Sequence, residues 1–315
     1  MPDLWTEPAG VDTLTDTPPR NGRRLFAALV EDRSARLGLG TIVLVVLAAL
    51  AAPLVAALVG HGATEQFRET ALDASGIPIG LSSGFWLGAD GEGRDVLVRT
   101  LYGTQISLLV GIPATTLAMV IGTIIGVASG LAGGIFDRVT GQVIDMVLSF
   151  PFVVTALSLL ALNRGADGRP VVSPIVVVVV IIAAFTWTYF ARLSRGLTVT
   201  LRSCPFVDAA VTLGAGRRWI LFREVLPNVL PVIVVYWAVQ LPASIVAEAT
   251  LSFLGVGIQA PTPSLGNMIA DAQRTSLYQV QPWYLLGPAI ALFVIVLGFN
   301  AFSSGLRNVL DPKGR

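Results

Sequence analysis

The most regular feature of the chain is a series of long apolar runs without charged residues, separated by shorter segments that collect the charges. Six of these runs approach the length of about 20 residues that a helix needs to cross about 30 Å of hydrocarbon. They occupy residues 37–60, part of 101–136, 146–163, 170–191, 225–247 and part of 275–306. Because the backbone polar groups of a segment in lipid must be paired internally, the pattern predicts an all-α integral membrane protein with six transmembrane helices.

Two of the runs define their helices less clearly than the others. Residues 146–163 are few for a span, and they cross comfortably only if Asp145 and a few earlier residues join the helix. The last run is longer than a span needs, and we expect the stretch from Pro282 to Pro288 to mark the start of its helix, because proline is favoured in the first helical turn.

The polar segment before the first run divides into two parts. Residues 1–21 are rich in Pro, Thr and Asp and predict a disordered cytoplasmic tail. Residues 22–36 place Leu25, Phe26, Leu29 and Val30 on one helical stripe, which is typical of a helix that lies flat at the membrane interface. The alternative is that this segment is simply a charged start to the first span.

The remaining segments complete the predicted organisation. Residues 61–100 are too many for a turn and predict a small extracytoplasmic cap between spans 1 and 2. Residues 101–306 form the helical core with spans 2–6 and a long polar loop at 203–227, and residues 307–315 form a cytoplasmic tail. Residues 255–274 predict a second sizeable outside loop.

Composition excludes several classes of protein. Hydrophobic residues make up 54% of the 315 residues and charged residues only 13%, about half of the ~25% that is usual in soluble domains. Such a chain cannot cover a soluble surface with charge. A soluble two-domain enzyme, a disordered chain and a nucleic-acid-binding protein are therefore excluded, the last because it would need a basic excess that a net charge of +1 does not provide.

The distribution of basic residues predicts the orientation. If the N-terminus is cytoplasmic, fifteen of the 21 Lys and Arg residues lie in segments on that side. Membrane proteins concentrate Lys and Arg in their cytoplasmic loops. An even number of spans then places both termini in the cytoplasm.

Two residue types that occur once restrict the chemistry. With Cys204 alone, an intrachain disulfide and a cysteine-ligated metal site are impossible. Lys313 is followed by Gly314 and Arg315, so the sequence lacks the Gly-Lys-Ser/Thr of a phosphate-binding P-loop. The residues also contain no catalytic grouping such as Ser/His/Asp or HExxH. We predict a non-enzymatic chain without a cofactor or metal of its own.

The loop at 203–227 predicts two helices separated by glycines. Ser203 or Cys204 suits an N-cap and Pro205 suits the first helical turn. Gly214 and Gly216 end that short helix and permit a left-handed turn. A second, amphipathic helix then runs from Arg217 toward Pro227. The pattern indicates a rigid knob that fits a soluble protein.

The same loop resembles the EAA motif of ATP-binding-cassette importer permeases, since Asp208-Ala209-Ala210 is followed by Gly214 and later by Leu226-Pro227. Asp208 replaces the usual Glu and keeps the negative charge near the helix start. The resemblance implies that this is the coupling helix, which docks in a groove of an ATPase subunit. The residues that it assigns to coupling are Phe206, Asp208, Ala209, Ala210, Gly214, Ala215, Leu226 and Pro227.

A second motif resembles the LGTDxLGRD signature of the C-type permease subunit of dipeptide, oligopeptide and nickel importers. Here it begins at Leu87, with Ala89 and Glu92 in place of the usual Thr and Leu. We expect its charged residues to hold the cap against the mouth of span 2; direct contact with substrate is the less favoured alternative. The signature residues are Gly88, Asp90, Gly93, Arg94 and Asp95.

Two acidic residues near span ends and one histidine are the remaining candidates. Asp145 lies near the inner end of span 3 and Glu248 toward the outer end of span 5. Carboxylates in a membrane are usually buried in protein or line water, so they either line or gate a translocation path or, slightly favoured, hydrogen-bond a helix end near the interface. We expect His61 to be a solvated loop residue.

The resemblance extends over nearly the whole chain and implies a type I ABC importer permease fold. It implies a permease subunit in the bacterial cytoplasmic (inner) membrane that forms half of a pathway for di- or oligopeptides. Its implied partners are a homologous B-type permease subunit, two ABC ATPases that bind ATP and Mg²⁺, an extracytoplasmic substrate-binding protein and the lipid bilayer, with no nucleic acid. Nickel chelates, glutathione and haem remain alternative substrates. A stand-alone secondary transporter or channel is the competing function.

Overall fold

The described part of the chain is an assembly of helices. The computed structural model describes residue 29, residues 31–163, residue 165 and residues 170–310, which contain isolated bridges but no strand. The helices are α1 (Arg33–Val59), α2 (Arg68–Ala71), α3 (Val96–Ala132), α4 (Gly134–Ser149), α5 (Phe152–Leu162), α6 (Pro174–Arg202), α7 (Pro205–Thr212), α8 (Arg217–Trp219), α9 (Leu226–Phe253), α10 (Leu265–Thr275) and α11 (Pro282–Leu310). A π-helical segment, Ile220–Val225, joins α8 to α9, and a 3-10 turn, Leu277–Gln279, precedes α11.

Length and apolar composition identify the spans. Among the described residues, five helices are long and apolar enough to cross a membrane: α1, α3, α6, the continuous stretch Arg217–Phe253 and α11. The pair α4 and α5 passes the same test together but is bent by 81°, so it gives a sixth span if it counts as one. The all-α, six-span prediction is confirmed in this sense. The last span begins at Pro282, as predicted.

The third span is not the straight helix that the apolar run predicted. The chain breaks between Ser149 and Phe152, where Phe150 has extended backbone angles. Proline disfavours the helical conformation of the residue before it, and Pro151 therefore explains the break. Asp137 and Asp145 of α4 are paired with Arg195 and Arg192, which are only three residues apart on α6. Two ion pairs thus join α4 to the part of α6 near its C-terminal end, before the chain bends into α5.

Several predicted boundaries lie elsewhere in the structure. The Asp32 side chain accepts a hydrogen bond from the Ala35 amide at 2.8 Å and caps α1, so residues 33–36 are the first turn of span 1 and not the end of a separate interfacial helix. Residues 22–28 and 30 of that predicted helix, the predicted tail 1–21, and residues 311–315 of the predicted tail 307–315 lie outside the described residues. Residues 307–310 of that tail are the end of α11 and not a separate segment. Helix α3 begins at Val96, inside the predicted cap, and α6 continues to Arg202.

The helix directions define two ends of the bundle. Helices α3 and α6 run parallel, because Gly122, Gly126 and Gly130 of α3 meet successive turns of α6. Helices α1 and α11 run antiparallel, with Gly38 against Phe302. Residues 60–95 and 254–281 therefore gather at one end, the cap end, while the 203–227 loop and both ends of the described chain gather at the other, the loop end.

The outward surface of the bundle is apolar over much of its height. On α1, the side chains of Leu44, Leu47 and Leu54 are each more than half exposed although the helix packs on α3 and α11. Contiguous apolar faces of this size are unfavourable in water and favourable in hydrocarbon. This face of α1 is therefore the surface that contacts lipid.

Close packing of α3 on α6 yields a first testable prediction. A Cβ atom added at Gly126 would overlap the Ser194 hydroxyl and the Ala191 carbonyl oxygen, and a backbone atom cannot move aside cheaply. Overpacking of this kind costs about 1–3 kcal/mol, so Gly126→Ala should lower the melting temperature of the detergent-solubilised protein. Gly196→Ala on α6, where the added atom meets open space, should leave it equal or slightly higher because alanine favours helix. Equal melting temperatures for the two variants would contradict the packing.

Candidate functional site

The loop at 203–227 begins as its sequence predicts. Cys204 is the N-cap of α7, with extended backbone angles, and Pro205 is the first helical residue. The helix ends at Thr212, and Gly214 then turns the chain with a φ of 89°, a left-handed conformation that favours glycine. The predicted turn at Gly214 is confirmed. The same prediction for Gly216 is wrong, since its φ is −73° and it precedes α8 in an extended conformation.

The second half of the loop is not a separate helix. Helix α8 passes through the π-helical segment Ile220–Val225 directly into α9, so the predicted helix from Arg217 is the beginning of a span. Leu226 donates its amide hydrogen to the carbonyl of Leu221, five residues back. Pro227 follows and has no amide hydrogen to offer the Arg223 carbonyl. The regular backbone hydrogen bonds of an α-helix are thus interrupted beside this proline. The amphipathic pattern did not predict this interruption.

Buried apolar residues hold the loop against the bundle. Val207, Ile220 and Val225 are buried in one cluster with residues of α3, α6 and α9, and Ala210 is also buried. The other residues assigned to coupling lie at the surface or partly buried. Phe206, Asp208, Ala209, Gly214 and Pro227 are exposed, and Ala215 and Leu226 are intermediate.

The loop also presents apolar side chains away from the bundle. Leu213, beside the glycine turn, is 89% exposed, and Phe222 is 66% exposed. Phe206, Val211 and Trp219 are also exposed. We call these five residues the apolar knob surface. Several exposed large apolar side chains at one end of a helical bundle are typical of a protein interaction site.

The cap signature residues come together around one carboxylate. Asp90 Oδ2 accepts hydrogen bonds from Arg94 Nε at 2.7 Å, and Arg99 Nε lies 3.3 Å away from it. Asp90 Oδ1 accepts from the amides of Glu92 and Arg94, each at 2.9 Å. Gly88 and Gly93 both have a φ of 76° at the turns of this segment. The whole cluster is buried, which favours the interpretation as a structural staple over direct substrate contact.

Arg99 extends the cluster to the second outside loop. Its Nη1 donates to the carbonyl oxygens of Ala63 at 2.8 Å and Pro261 at 3.3 Å, so it ties together two segments far apart in sequence. Asp271 of α10 also interacts electrostatically with this cluster. Burial raises the pKa of its carboxyl, and Arg94 and Arg274 oppose that shift. The sequence did not predict the contact of Arg99 with Pro261.

Asp95 and His61 form a pair that the sequence did not reveal. Asp95 Oδ1 accepts from the Val98 amide at 3.0 Å and caps α3, while Oδ2 lies 2.8 Å from His61 Nδ1. The imidazole ring lies against Phe67 and Phe85, with centroid separations of 4.4 Å. The prediction that His61 is a solvated loop residue is therefore wrong. Its partners are distant in sequence, and a lone histidine gives no local signal of them.

Removing the Asp95 carboxylate provides a second prediction. Asp95→Ala loses the N-cap of α3 and the His61 partner together, and loss of an N-cap alone costs about 1 kcal/mol. We expect a lower melting temperature for the detergent-solubilised protein, followed by circular dichroism. Asp95→Asn keeps a capping oxygen and should restore most of the difference. If Asp95→Asn is as unstable as Asp95→Ala, capping is not the main contribution of this side chain.

The two acidic candidates for a gate have different environments. Asp145 accepts from Arg192 Nη2 at 2.7 Å, and both side chains are more than half exposed. Glu248 is fully buried and accepts from the hydroxyls of Ser107, Ser252 and Ser264 at 2.8–2.9 Å. Glu248 thereby joins α3, α9 and the start of α10. Its contacts match hydrogen bonding within the fold and not an open path.

Two features were missed by sequence reasoning. Asp137 of α4 accepts from Arg195 Nε and Nη2 at 2.5 and 2.7 Å and from the Ser129 hydroxyl, which links α3, α4 and α6 at the loop end. A cavity of about 370 Å³ also lies between the α4–α5 bend, α6 and α9, with Gln240 in its wall. The available signal for the cavity was Gln240 itself, a lone amide in an apolar run.

Comparisons with known proteins identify the family of the chain. Residues 118–315 match the family described as the binding-protein-dependent transport system inner membrane component. The glutathione transport system permease protein GsiD of Pectobacterium atrosepticum is 36% identical over 245 residues, which cover 78% of each chain. GsiD of Escherichia coli O1:K1 / APEC is 37% identical over the same share of both chains.

A solved structure was also compared. The crystal structure of an amino acid ABC transporter with histidines aligns with 65% of this chain and 91% of its own chain, at 17% identity and a TM-score of 0.48. The family match covers more than half of the chain, and the two curated relatives exceed 30% identity. The chain therefore belongs to the binding-protein-dependent inner-membrane transport components, the non-catalytic permease subunits of ATP-binding-cassette importers.

Proposed function

We propose that this chain forms half of the pathway through which an ATP-driven importer moves peptide-sized solutes, and that the 203–227 loop couples it to ATPase subunits. The observation that carries the proposal is the apolar knob surface, which projects from the loop end beside the Gly214 turn. The relatives at 36–37% identity are named for transport of glutathione, a tripeptide, and this supports a peptide-like substrate.

The occupant proposed for the apolar knob surface is an ATPase subunit. Importers of this family work with separate ATPases, and this chain has no P-loop lysine of its own. Leu213 and Phe222 are large apolar side chains that gain free energy when a partner removes them from water. ATP and Mg²⁺ would then bind in the partner subunits, and the movement of those subunits would be transmitted to this chain.

The connections of the loop indicate where that motion goes. Helix α7 follows α6 after only two residues, and α8 leads through the π-helical segment into α9. A displacement of the knob is thus applied to α6 and α9 together. These two helices carry most of the wall of the cavity near Gln240.

The same arrangement defines the proposed orientation and partners. The arginine-rich loop end would face the cytoplasm together with both termini, in agreement with the charge bias. The cap end, stapled by Asp90, Arg94 and Asp95, would face an extracytoplasmic substrate-binding protein. A homologous B-type permease subunit would complete the pathway, and two ATPases would complete the complex.

Reconstitution tests this function directly. The chain is co-expressed with a B-type permease, ATPase subunits and a binding protein from the same organism, and the purified complex is placed in proteoliposomes. We expect uptake of glutathione or trialanine only when ATP, Mg²⁺ and the binding protein are all present. Uptake by this chain without ATPases would overturn the proposal and favour a stand-alone transporter.

The glycine turn supplies a matched pair of variants for the coupling role. Neither Gly214 nor Gly216 has a neighbour where a Cβ would be placed, but only Gly214 has a left-handed backbone. A β-branched residue there costs about 1–2 kcal/mol of strain. Gly214→Val should therefore lower ATP-coupled uptake by about fivefold or more, whereas Gly216→Val should retain most of it. Equal uptake by both variants would show that the shape of the turn does not transmit the motion.

A further inference from the structure

We propose that the cavity at the α4–α5 bend is a substrate contact site that binds the amide groups of a peptide-like solute through uncharged side chains. The inference rests on the proposed function and identifies the residues and the chemistry involved. The cavity of about 370 Å³ is lined by Thr186, Tyr189, Gln240 and Ser244 among apolar neighbours. Sites for small molecules usually have about 300–1,000 Å³.

The cavity lies about halfway along the helices that form it. Gln240 and Ser244 are near the middle of the 28-residue α9, and Thr186 and Tyr189 are near the middle of the 29-residue α6. The α4–α5 bend, where the chain turns by 81°, forms the third side of the cavity. The cavity thus lies between three helical segments, about midway between the cap end and the loop end.

Two polar groups in this wall lack a partner. Within the described part of the chain, neither the Gln240 side-chain amide nor the Tyr189 hydroxyl makes a hydrogen bond, although Ser244 donates to the Gln240 backbone carbonyl at 3.4 Å. Polar groups at membrane depth are tolerated where they are buried in protein or line a water-filled cavity. The amide offers both donors and an acceptor, which matches the peptide group of a solute.

The rest of the wall is apolar. Phe152 and Phe185 pack edge to face with a centroid separation of 5.3 Å, and Phe150 lies at the bend. Among the described residues, none of those lining the cavity is ionisable in the neutral range. A fixed charge here would hold an oppositely charged solute strongly at low dielectric. Neutral groups bind the backbone amides common to all peptides and release them, irrespective of side chain.

This assignment differs from the gate suggested by the acidic residues. Glu248 accepts hydrogen bonds from three serines, and Asp145 forms an ion pair with Arg192. Neither residue belongs to the wall of the cavity. Gln240 is therefore the residue that we expect to contact substrate in α9.

Cysteine labelling tests whether the cavity is a water-filled path. In a Cys204→Ala background, which removes the one native thiol, Gln240→Cys and Tyr189→Cys are compared with Leu47→Cys on the lipid-facing surface of α1. The reconstituted complex is treated with a charged, membrane-impermeant methanethiosulfonate during ATP turnover. We expect labelling at 240 and 189 at least tenfold faster than at 47, and slower in the presence of trialanine. Labelling at 240 as slow as at 47 would overturn the inference.

A charge placed in the cavity tests the chemistry of recognition. Gln240→Glu replaces the amide by a carboxylate with little change in size. The variant should reduce uptake of an acidic tripeptide at least tenfold more than it reduces uptake of trialanine. An unchanged ratio of the two substrates would overturn the inference. Absence of uptake by the wild-type complex would instead contradict the proposed function. If Gln240→Glu fails to assemble, the labelling comparison decides, since it does not use that variant.

Discussion

Replacing Leu213 by Asp is expected to reduce co-purification of the ATPase subunits with this chain at least tenfold. Leu213 is 89% exposed at the tip of the apolar knob surface, so the substitution changes little within the isolated chain. In the complex, it would place a carboxylate in an apolar contact, and truncation of a central interface residue often costs 2 kcal/mol or more. Every 1.4 kcal/mol corresponds to a tenfold change in affinity. The measurement is the ratio of ATPase to permease after affinity purification.

A leucine at the other end of the molecule is the matched control. Leu81 lies in the cap and is 55% exposed. Leu81→Asp makes the same chemical change and should leave the ATPase ratio at the wild-type value. If Leu213→Asp also leaves the ratio unchanged, or if both variants reduce it equally, the ATPases do not bind to the apolar knob surface.

Replacing Glu248 by Ala is expected to destabilise the chain more than any other single substitution considered above. Three serine hydroxyls lose a common acceptor in a fully buried site, and a buried donor left unpaired costs about 1–3 kcal/mol. A total near 3 kcal/mol should lower the melting temperature in detergent by roughly 5 °C or more. The loop after α9 should loosen as well, since the Ser252 hydroxyl accepts from the Ile258 amide.

Conservative variants separate the network from the size of the side chain. Glu248→Gln keeps an oxygen that accepts hydrogen bonds and fills the same space, and we expect an intermediate melting temperature. Ser107→Ala removes one donor and should cost about 1 kcal/mol. A Glu248→Ala protein as stable as the wild type would show that these serines do not depend on the carboxyl.

The number and type of the spans followed from the sequence because their cause is local. An uncharged run of about 20 residues has one stable structure in hydrocarbon, and this applies to the segments that became α1, α6 and α11. The start of α7 after Cys204 and the turn at Gly214 were predicted for a similar reason. Proline and glycine act on the backbone at their own positions.

Other features were not predictable because their causes are distant in sequence. His61 pairs with Asp95 across 34 residues, and Glu248 meets Ser107 across 141. Hydropathy shows that a segment is apolar but not the direction in which its helix runs. The sequence therefore predicted one straight span through Phe150 and Pro151. Pro151 favours a break after Phe150, but it does not give the angle of 81° between α4 and α5.

The backbone contact between α3 and α6 restricts how the molecule moves. At Gly122, Gly126 and Gly130 the backbone of α3 lies directly against backbone and side-chain atoms of α6, so sliding or rolling would drive these atoms together. We expect this pair of helices to move as one rigid unit. Flexibility is then concentrated where regular helical bonds are interrupted, at the α4–α5 bend and in the π-helical segment before α9. Both joints border elements of the cavity wall, so α5 and α9 would open or close it relative to the paired α3 and α6.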